Sequence, residues 1–429
     1  MLRYLKILIF GAIVIAAVSC TARMGRSKTV SERNLADLYN PSKYILHPDI
    51  SIVHVNDSSS VAYVKIFTAE LLFNDANTES VLQAIVRFHF TLSKITDDKQ
   101  KPVFIDSATV SRNLKKADIK NTYVIGLPVN AVFGSEYELK IEIYDVLRNT
   151  FSEIYRVVDR TSRFNDQNFT VLSAATNYPA FTNNFSSGEL FKIRFNQFGF
   201  DSILVEYYSL DRTLPRPAFS SAPELPLKEY PDTSYIYKLS DSTIYDLPVA
   251  GIYQFRVDPE LSAGLTLFNF GANFPQIKSS DDLLGPLVYL TTSAEFRDLR
   301  LSPNLKFAID NFWLGINSNT DASKELIRIY YNRVLYANLF FSSFKEGWKT
   351  DRGMIYIIFG PPRLLEKNIN YEKWSYFSRS AGSRVEFIFY RKENKFTKYD
   401  YQLERDVNSS SYWREAVNSW RKGRVYSVS

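Results

Sequence analysis

The segment "EGWKTDRGMIYIIFGPP", Glu346 to Pro362, brings Thr350, Asp351 and Arg352 together between a Gly-Trp pair and a Gly-Pro-Pro stop. Such a cluster offers two kinds of chemistry. A guanidinium beside aromatic rings binds carboxylate or phosphate, often through two parallel hydrogen bonds. An Asp-Arg-Gly run also makes a turn, because Asp accepts backbone N–H groups and Gly tolerates positive φ. On this second reading Gly347 lets the chain bend, Trp348 anchors the corner against helices, and Asp351 bonds within its own turn. Gly353 supplies the positive φ. Gly360, Pro361 and Pro362 end the following strand, since proline removes the donors a ladder needs. Thr350 and Arg352 are left over, and Arg352 is expected to be exposed and available to a ligand.

The other reactive side chains narrow the chemistry. The three histidines, His47, His54 and His89, all lie in the first third of the chain. A Ser-His-Asp triad therefore cannot be built from the C-terminal region. His89 falls mid-strand in "RFHFTL" and reads as a packed residue. The sequence carries no H-E-x-x-H, no C-x-x-C and no clustered histidines, so no metal site is expected. Its glycines are scattered rather than gathered into a phosphate loop, and no cofactor is expected. Carboxylates remain: Asp298, Asp310, Asp321, Asp351, Glu366, Glu372 and Glu386 could supply an acid and a base for cleaving glycan or peptide. No spacing singles out two of them, and no catalytic residue is assigned.

The first residues, "MLRYLKILIFGAIVIAAVSC", combine Arg3 and Lys6 with an apolar run over 7–18 and close on small residues and Cys20. This is the pattern of an export signal, too short to span a bilayer comfortably. The closing Cys resembles the lipobox of bacterial lipoproteins, with Ala17 where Leu is usual. The resemblance implies cleavage after residue 19 and lipidation of Cys20, the one cysteine in the chain. Residues 20–45 are expected to be the acylated Cys and a polar tether. Aromatic residues make up 15% of the chain, as suits folded domains rather than a disordered stalk. The formal charge is +6, and between Arg363 and Arg424 14 Lys/Arg face 8 Asp/Glu. An exported protein with a basic end meets anionic lipid or an acidic protein rather than nucleic acid. Arg421, Lys422 and Arg424 are expected to form that contact surface.

Alternation sets the fold. In "EYELKIEIYD", Tyr137, Leu139, Ile141 and Ile143 point one way and the charged residues the other. "SVLQAIVRFHFTLSKI" is a second long strand, and Asn149-Thr150 marks a turn. "LFKIRFNQF", "SILVEYYSL" and "GIYQFRVD" repeat the pattern after a break, with a Pro-rich loop over 212–231. Two antiparallel, Ig-like β-sandwich domains are expected over 46–162 and 163–282. An α+β domain is expected over 283–429. Its first helix starts at Ser302-Pro303, and Asp321–Ser323 cap a second that aligns Leu326, Tyr330, Val334, Ala337 and Phe340. Met354–Phe359, Lys373–Phe377 and Arg384–Tyr390 read as strands, the first central because it is apolar on both faces. A last helix aligns Trp413, Val417 and Trp420 and ends at Gly423.

This third region resembles the GWxTD domain of exported bacterial proteins, notably of the Bacteroidota. Gly347, Trp348, Thr350 and Asp351 are the residues that name the family. Arg352-Gly353 and Gly360-Pro361-Pro362 continue its pattern, as do Phe312-Trp313 and Arg333, Tyr336, Ala337 and Asn338 upstream. The resemblance covers roughly residues 285–425. It implies a lipoprotein and no particular reaction. Arg23, Arg26 and Lys28 stand where surface-exported lipoproteins of that group are acidic, and Thr21 follows the Cys. By that resemblance the protein stays on the periplasmic face of the outer membrane, held there by its acyl chains. The functional expectation is a non-catalytic scaffold that binds a protein partner in an envelope assembly. The alternative is an envelope hydrolase that uses carboxylates on glycan or peptide.

Overall fold

The computed structural model describes residues 34–75, 81–96, 103–211, 213, 216–223, 225–316, 320–368, 370–377, 384–406 and 409–426. Cys20 and the export signal lie outside them. The N-terminal part holds β1 (Asp49–His54), β2 (Ser60–Phe67), β3 (Asn74–Asp75), β4 (Leu82–Lys94), β5 (Val103–Lys115), β6 (Thr122–Val129), β7 (Glu136–Asp145) and β8 (Thr150–Asp159). One antiparallel sheet runs β1-β2-β6; the other runs β3-β4-β7-β8, with β5 also paired to β4. The alternation works as expected. Tyr137, Leu139, Ile141 and Ile143 on β7 are buried and interleave with Phe88 and Phe90 of β4 and with Val64 and Leu127 of the facing sheet. Asn149 turns the chain between β7 and β8 with a φ of 56°.

The second part holds β9 (Phe169–Ser173), β10 (Phe191–Phe195), β11 (Ser202–Ser209), β12 (Thr233–Lys238), β13 (Gly251–Arg256) and β14 (Leu265–Asn269). A two-stranded sheet, β9-β10, faces a four-stranded one ordered β12-β11-β13-β14. The core between them is aromatic, with Phe169, Phe191, Phe195 and Phe255 buried. The loop between β11 and β12 is the Pro-rich segment.

The third part is α+β. Helices α1 (Ser280–Leu284), α2 (Ser293–Arg300), α3 (Leu305–Ile316), α4 (Thr320–Phe341) and α5 (Asp351–Phe359) precede a meander. The meander is β15 (Leu364–Lys367), β16 (Tyr371–Phe377), β17 (Arg384–Asn394) and β18 (Thr397–Leu403), and α6 (Ser409–Arg421) follows. On α4, Leu326, Tyr330, Val334 and Ala337 are buried as expected, with Phe341 rather than Phe340 completing the stripe. Helix α3 begins two residues after the expected Pro303 start: Asn304, not Ser302, accepts the Phe307 N–H (3.1 Å). The principal correction is Met354–Phe359, which is helix and not strand. Every residue of α5 is buried, so the run shows no amphipathic period, and an apolar stretch of that length reads equally as either element.

The expected tether also differs. Residues 34–40 form a strap on the third domain. Leu35, Ala36 and Tyr39 are buried in that domain's core. The strap lies along β15, the sheet's edge strand: Leu35 N–H donates to the Leu365 carbonyl (3.0 Å), and Asn34 Nδ2 to the Arg363 carbonyl (2.9 Å). Asn34 Oδ1 accepts in return from Leu365 N–H (3.0 Å). Covering an edge in this way satisfies donors that would otherwise face water.

The third domain packs against both sandwiches. Lys398 pairs with Asp159 at the end of β8, and Arg391 with Glu136 (3.7 Å). Phe344 and Phe396 pack on Tyr208, Ile252 and Phe268 of the second sandwich. The sandwiches meet at His54, whose carbonyl accepts from Asn196 Nδ2 (2.6 Å). The His54 ring is buried between the Ser60 hydroxyl and the Asp159 carbonyl, and burial pushes its pKa down to about 4.

The strap predicts a measurable coupling. Tyr39→Phe keeps the ring in place but removes a donor to a buried carboxylate, a loss of about 1.5–3 kcal/mol for a bond to a charged group. Denaturant unfolding followed by near-UV signal should register that loss. Amide exchange should speed up at Leu35 and Leu365, while β4 and β7 of the first sandwich stay protected.

Candidate functional site

The motif segment is built around close approach of three backbones. Gly347 opens a short 3₁₀ turn, Gly347–Lys349, that lies on α4. A Cβ at Gly347 would sit 1.9 Å from the Ala337 carbonyl oxygen, and one at Gly353 would sit 1.9 Å from the Gly347 oxygen. Both glycines are thus required by contact. Gly353 is helical, which corrects the expectation of a positive φ there. Thr350 is the N-cap of α5: its hydroxyl donates to the Gly347 carbonyl (2.7 Å) and accepts from Gly353 N–H (3.0 Å). Thr350 therefore has a structural role that its position in the sequence left open.

Trp348 is half-buried rather than buried. Its ring meets Tyr289 edge-on at 6.4 Å and lies so close to Gly285 that a Cβ there would come within 2.8 Å. Its N–H donates to Asn338 Oδ1 (3.0 Å), and its carbonyl accepts from the Tyr289 hydroxyl (2.5 Å). Asn338 also donates to the Pro275 carbonyl (3.0 Å), tying the corner to the end of the second sandwich.

Asp351 does not bond within its own turn. Its Oδ2 accepts from Leu403 N–H (2.8 Å), and both oxygens take the Arg405 guanidinium, at 3.0 and 2.6 Å. It clamps the start of α5 to the end of β18, and its charge suits a helix N-terminus.

Arg352 is buried, not exposed. Its Nη1 donates to Glu372 Oε1 (3.1 Å), and its guanidinium stacks 4.1 Å from the Tyr401 ring centre and 5.2 Å from that of Phe341. Glu372 is fully buried on β16 and collects four donors. Tyr39 and Lys367 each donate to Oε1 at 2.8 Å, alongside Arg352, and Trp374 Nε1 donates to Oε2 (3.1 Å). Burial alone would raise this carboxyl, but Lys367 and Arg352 outweigh it and hold the pKa down at about 2. Burial would likewise depress Lys367, and Glu372 more than reverses that, so the pair stays charged.

The far end of α5 is closed by Gly360, with a φ of 83°, and Pro361-Pro362 follow; they end a helix, not a strand. Arg333 on α4 caps this end. It donates to the carbonyls of Ile357 (3.1 Å), Ile358 (3.2 Å) and Tyr426 (3.2 Å), and its charge meets the negative end of the helix. Burial lowers its pKa to about 10, still protonated at neutral pH.

Of the candidate carboxylates, Glu366 and Glu386 come together, and two shared cations neutralise them. Asp310 pairs with Lys306, Asp321 with Lys324 (3.3 Å), and Glu366 and Glu386 share Lys373 and Arg384. Asp298 is exposed on α2 beside Arg297 (3.6 Å). Among the described residues no group of three or more His, Asp or Glu is placed to hold a metal ion. His47 bonds Glu70 and His89 bonds Thr109. Tyr39, Lys367, Arg405 and the bonding role of Arg333 were beyond sequence reasoning. Arg333 alone had a signal, its place in the family-like stretch.

These elements define a multidomain protein of two β-sandwiches and an α+β domain organised around a Gly-Trp corner. Residues 251–422 match the family described as the GWxTD domain, so the match takes in β13 and β14 of the second sandwich as well as the helices and meander. No curated protein matches the chain. Among solved structures, the crystal structure of red sea bream transglutaminase is similar over 50% of this chain and 29% of that one, at 8% identity and a TM-score of 0.19. The matched region spans under a third of that protein's length, and so slight a likeness carries no functional argument.

The buried cluster sets an acid limit on stability. Glu372 titrates near 2 when folded and near 4.3 in an unfolded chain, so it stabilises the fold above about pH 4.3 and that contribution fades as pH falls toward 2. Glu372→Gln should remove this acid limb and cost about 3–5 kcal/mol at pH 7, because Arg352 and Lys367 are left facing each other. Arg352→Ala should cost a similar amount. Acid titration of wild type and both variants, followed by tryptophan fluorescence, checks both the size and the lost pH dependence.

Proposed function

We propose that this protein is a lipid-anchored lipoprotein of the outer membrane's periplasmic face, acting as a non-catalytic binding or scaffold component of an envelope assembly. The observation that carries the reading is the strap. The residues that lead back toward Cys20 dock on the GWxTD domain through Tyr39 and Leu35. Asn34 lies fourteen positions after Cys20, a span that cannot exceed about 50 Å even fully extended. An acylated Cys20 would therefore keep the GWxTD domain close to the bilayer. Both sandwiches, packed against that domain, would carry binding surfaces outward. The motif residues support a scaffold, because Asp351 and Arg352 spend their charges on internal partners and leave contact with other molecules to outer surfaces.

The basic C-terminal end supplies one such surface, with a revised membership. Arg421 is engaged by Glu295 (2.7 and 2.9 Å) and by the Leu290 carbonyl (2.9 Å), and it ties α6 to α2. Arg414, Lys422 and Arg424, with Glu415 among them, line a shallow depression along α6 and the turn after it, three cations to one carboxylate. They would favour an anionic lipid or an acidic protein, in a salt-sensitive way.

The anchor is tested first. Cys20→Ser should leave the protein in the soluble periplasmic fraction, with no fatty-acid label incorporated. Label on the mutant would sink the proposal. Mass spectrometry of proteins cross-linked to the wild type, and lost on combined neutralisation of Arg414, Lys422 and Arg424, tests the scaffold role.

A further inference from the structure

The second sandwich is incompletely closed. Its two-stranded sheet cannot cover a four-stranded one, so the inner face of the edge strand β12 stays open. Tyr235 and Tyr237 point into the opening and remain 50% and 41% exposed. Register places Tyr235 opposite Val205, and Val205 opposite Phe255, so these side chains share the core-facing surface. The loop over 244–249 forms the other wall. Between them lies a groove of about 470 Å³, within the size range of small-ligand sites.

The groove's walls are aromatic and continuous. Tyr237 lies 6.4 Å from Tyr235 and meets Tyr245 edge-on at 5.5 Å, and Tyr245 meets Phe255 at 5.9 Å. The Tyr253 hydroxyl bonds both backbone groups of Val249, at 3.2 and 2.8 Å, and pins the loop wall. Asp246 is the one charged residue of the lining among the described residues, and no Lys or Arg joins it there.

Several rings of the molecule already hold one of its own cations: Lys395 is 4.2 Å from Tyr208, Arg352 is 4.1 Å from Tyr401 and Arg87 is 4.5 Å from Tyr144. Among the described residues, no cation of the chain lies over Tyr235, Tyr237, Tyr245 or Tyr253. Ring faces carry negative potential, and a concave set of them beside a carboxylate is complementary to a cation that sheds its water cheaply.

We propose that the tyrosine groove of the second sandwich binds a quaternary ammonium group against Tyr235 and Tyr237 with Asp246 as counter-charge. The test is calorimetric titration of the full chain with choline, with N-acetyl-lysine amide and N-acetyl-arginine amide, and with 3,3-dimethylbutanol, the neutral isostere of choline. Choline should bind, and the neutral isostere about tenfold or more weaker. Binding of the amino-acid amides without choline assigns the groove to a protein side chain and overturns the proposal. Tyr237→Ala and Asp246→Asn should each weaken the cation about tenfold, while Tyr237→Phe retains it. Both sites are at the surface, and circular dichroism verifies that the variants fold. Equal binding of choline and its isostere, affinity untouched by both variants, or no binding of any cation overturns the proposal. So does binding of a neutral oligosaccharide that ignores Asp246→Asn.

Discussion

A single buried carboxylate sets the terms for the C-terminal domain. Removing Glu372 from water costs several kcal/mol, and only a full set of donors offsets that cost. The donors come from separate places: Tyr39 from the strap, Arg352 from the start of α5, Lys367 from β15 and Trp374 from Glu372's own strand. Each segment must be in position before the carboxylate is satisfied. The adjacent residue, Asp351, extends the arrangement to the other side of the sheet through Leu403 and Arg405. Two consecutive residues at one helix start thus tie together strands at opposite sides of the meander.

Helix α5 can occupy the middle of the domain because its ends are closed by neighbours. Thr350 caps one end and Arg333 the other. The two glycines of the corner let α4, the 3₁₀ turn and α5 approach to backbone contact, closer than any side chain permits. The motif is a packing solution in which small residues allow proximity and charged ones hold it. Its conspicuous polarity is directed inward.

The sandwich strands were legible because one face meets core and the other water, so that β7 alternates residue by residue. Helix α4 was legible for the same reason at a different period. Helix α5 was not: buried on every side, "MIYIIF" has no polar face to report its periodicity, and its β-branched isoleucines mimic a strand. Arg352 was misplaced because an arginine beside aromatics reads as a binding residue, whereas its partner Glu372 lies 20 residues away in a different element. The strap was invisible because seven residues carry no period at all. Tyr39 gains meaning only when Glu372 is placed beside it.

The strap also gives the chain a circular logic in time. Tyr39 and Glu372 are 333 positions apart, and both sandwiches are made between them. Contacts of such separation form late, since a long loop must close before they contribute anything. At 5–20 residues per second, synthesis of the intervening chain alone takes on the order of tens of seconds. Throughout that interval the strap has no seat and the edge of the future sheet has no cover. Segments 333 positions apart meet in one cluster, so the GWxTD domain is completed only when both are present, and a product that stops short of Glu372 leaves Arg352 without its carboxylate.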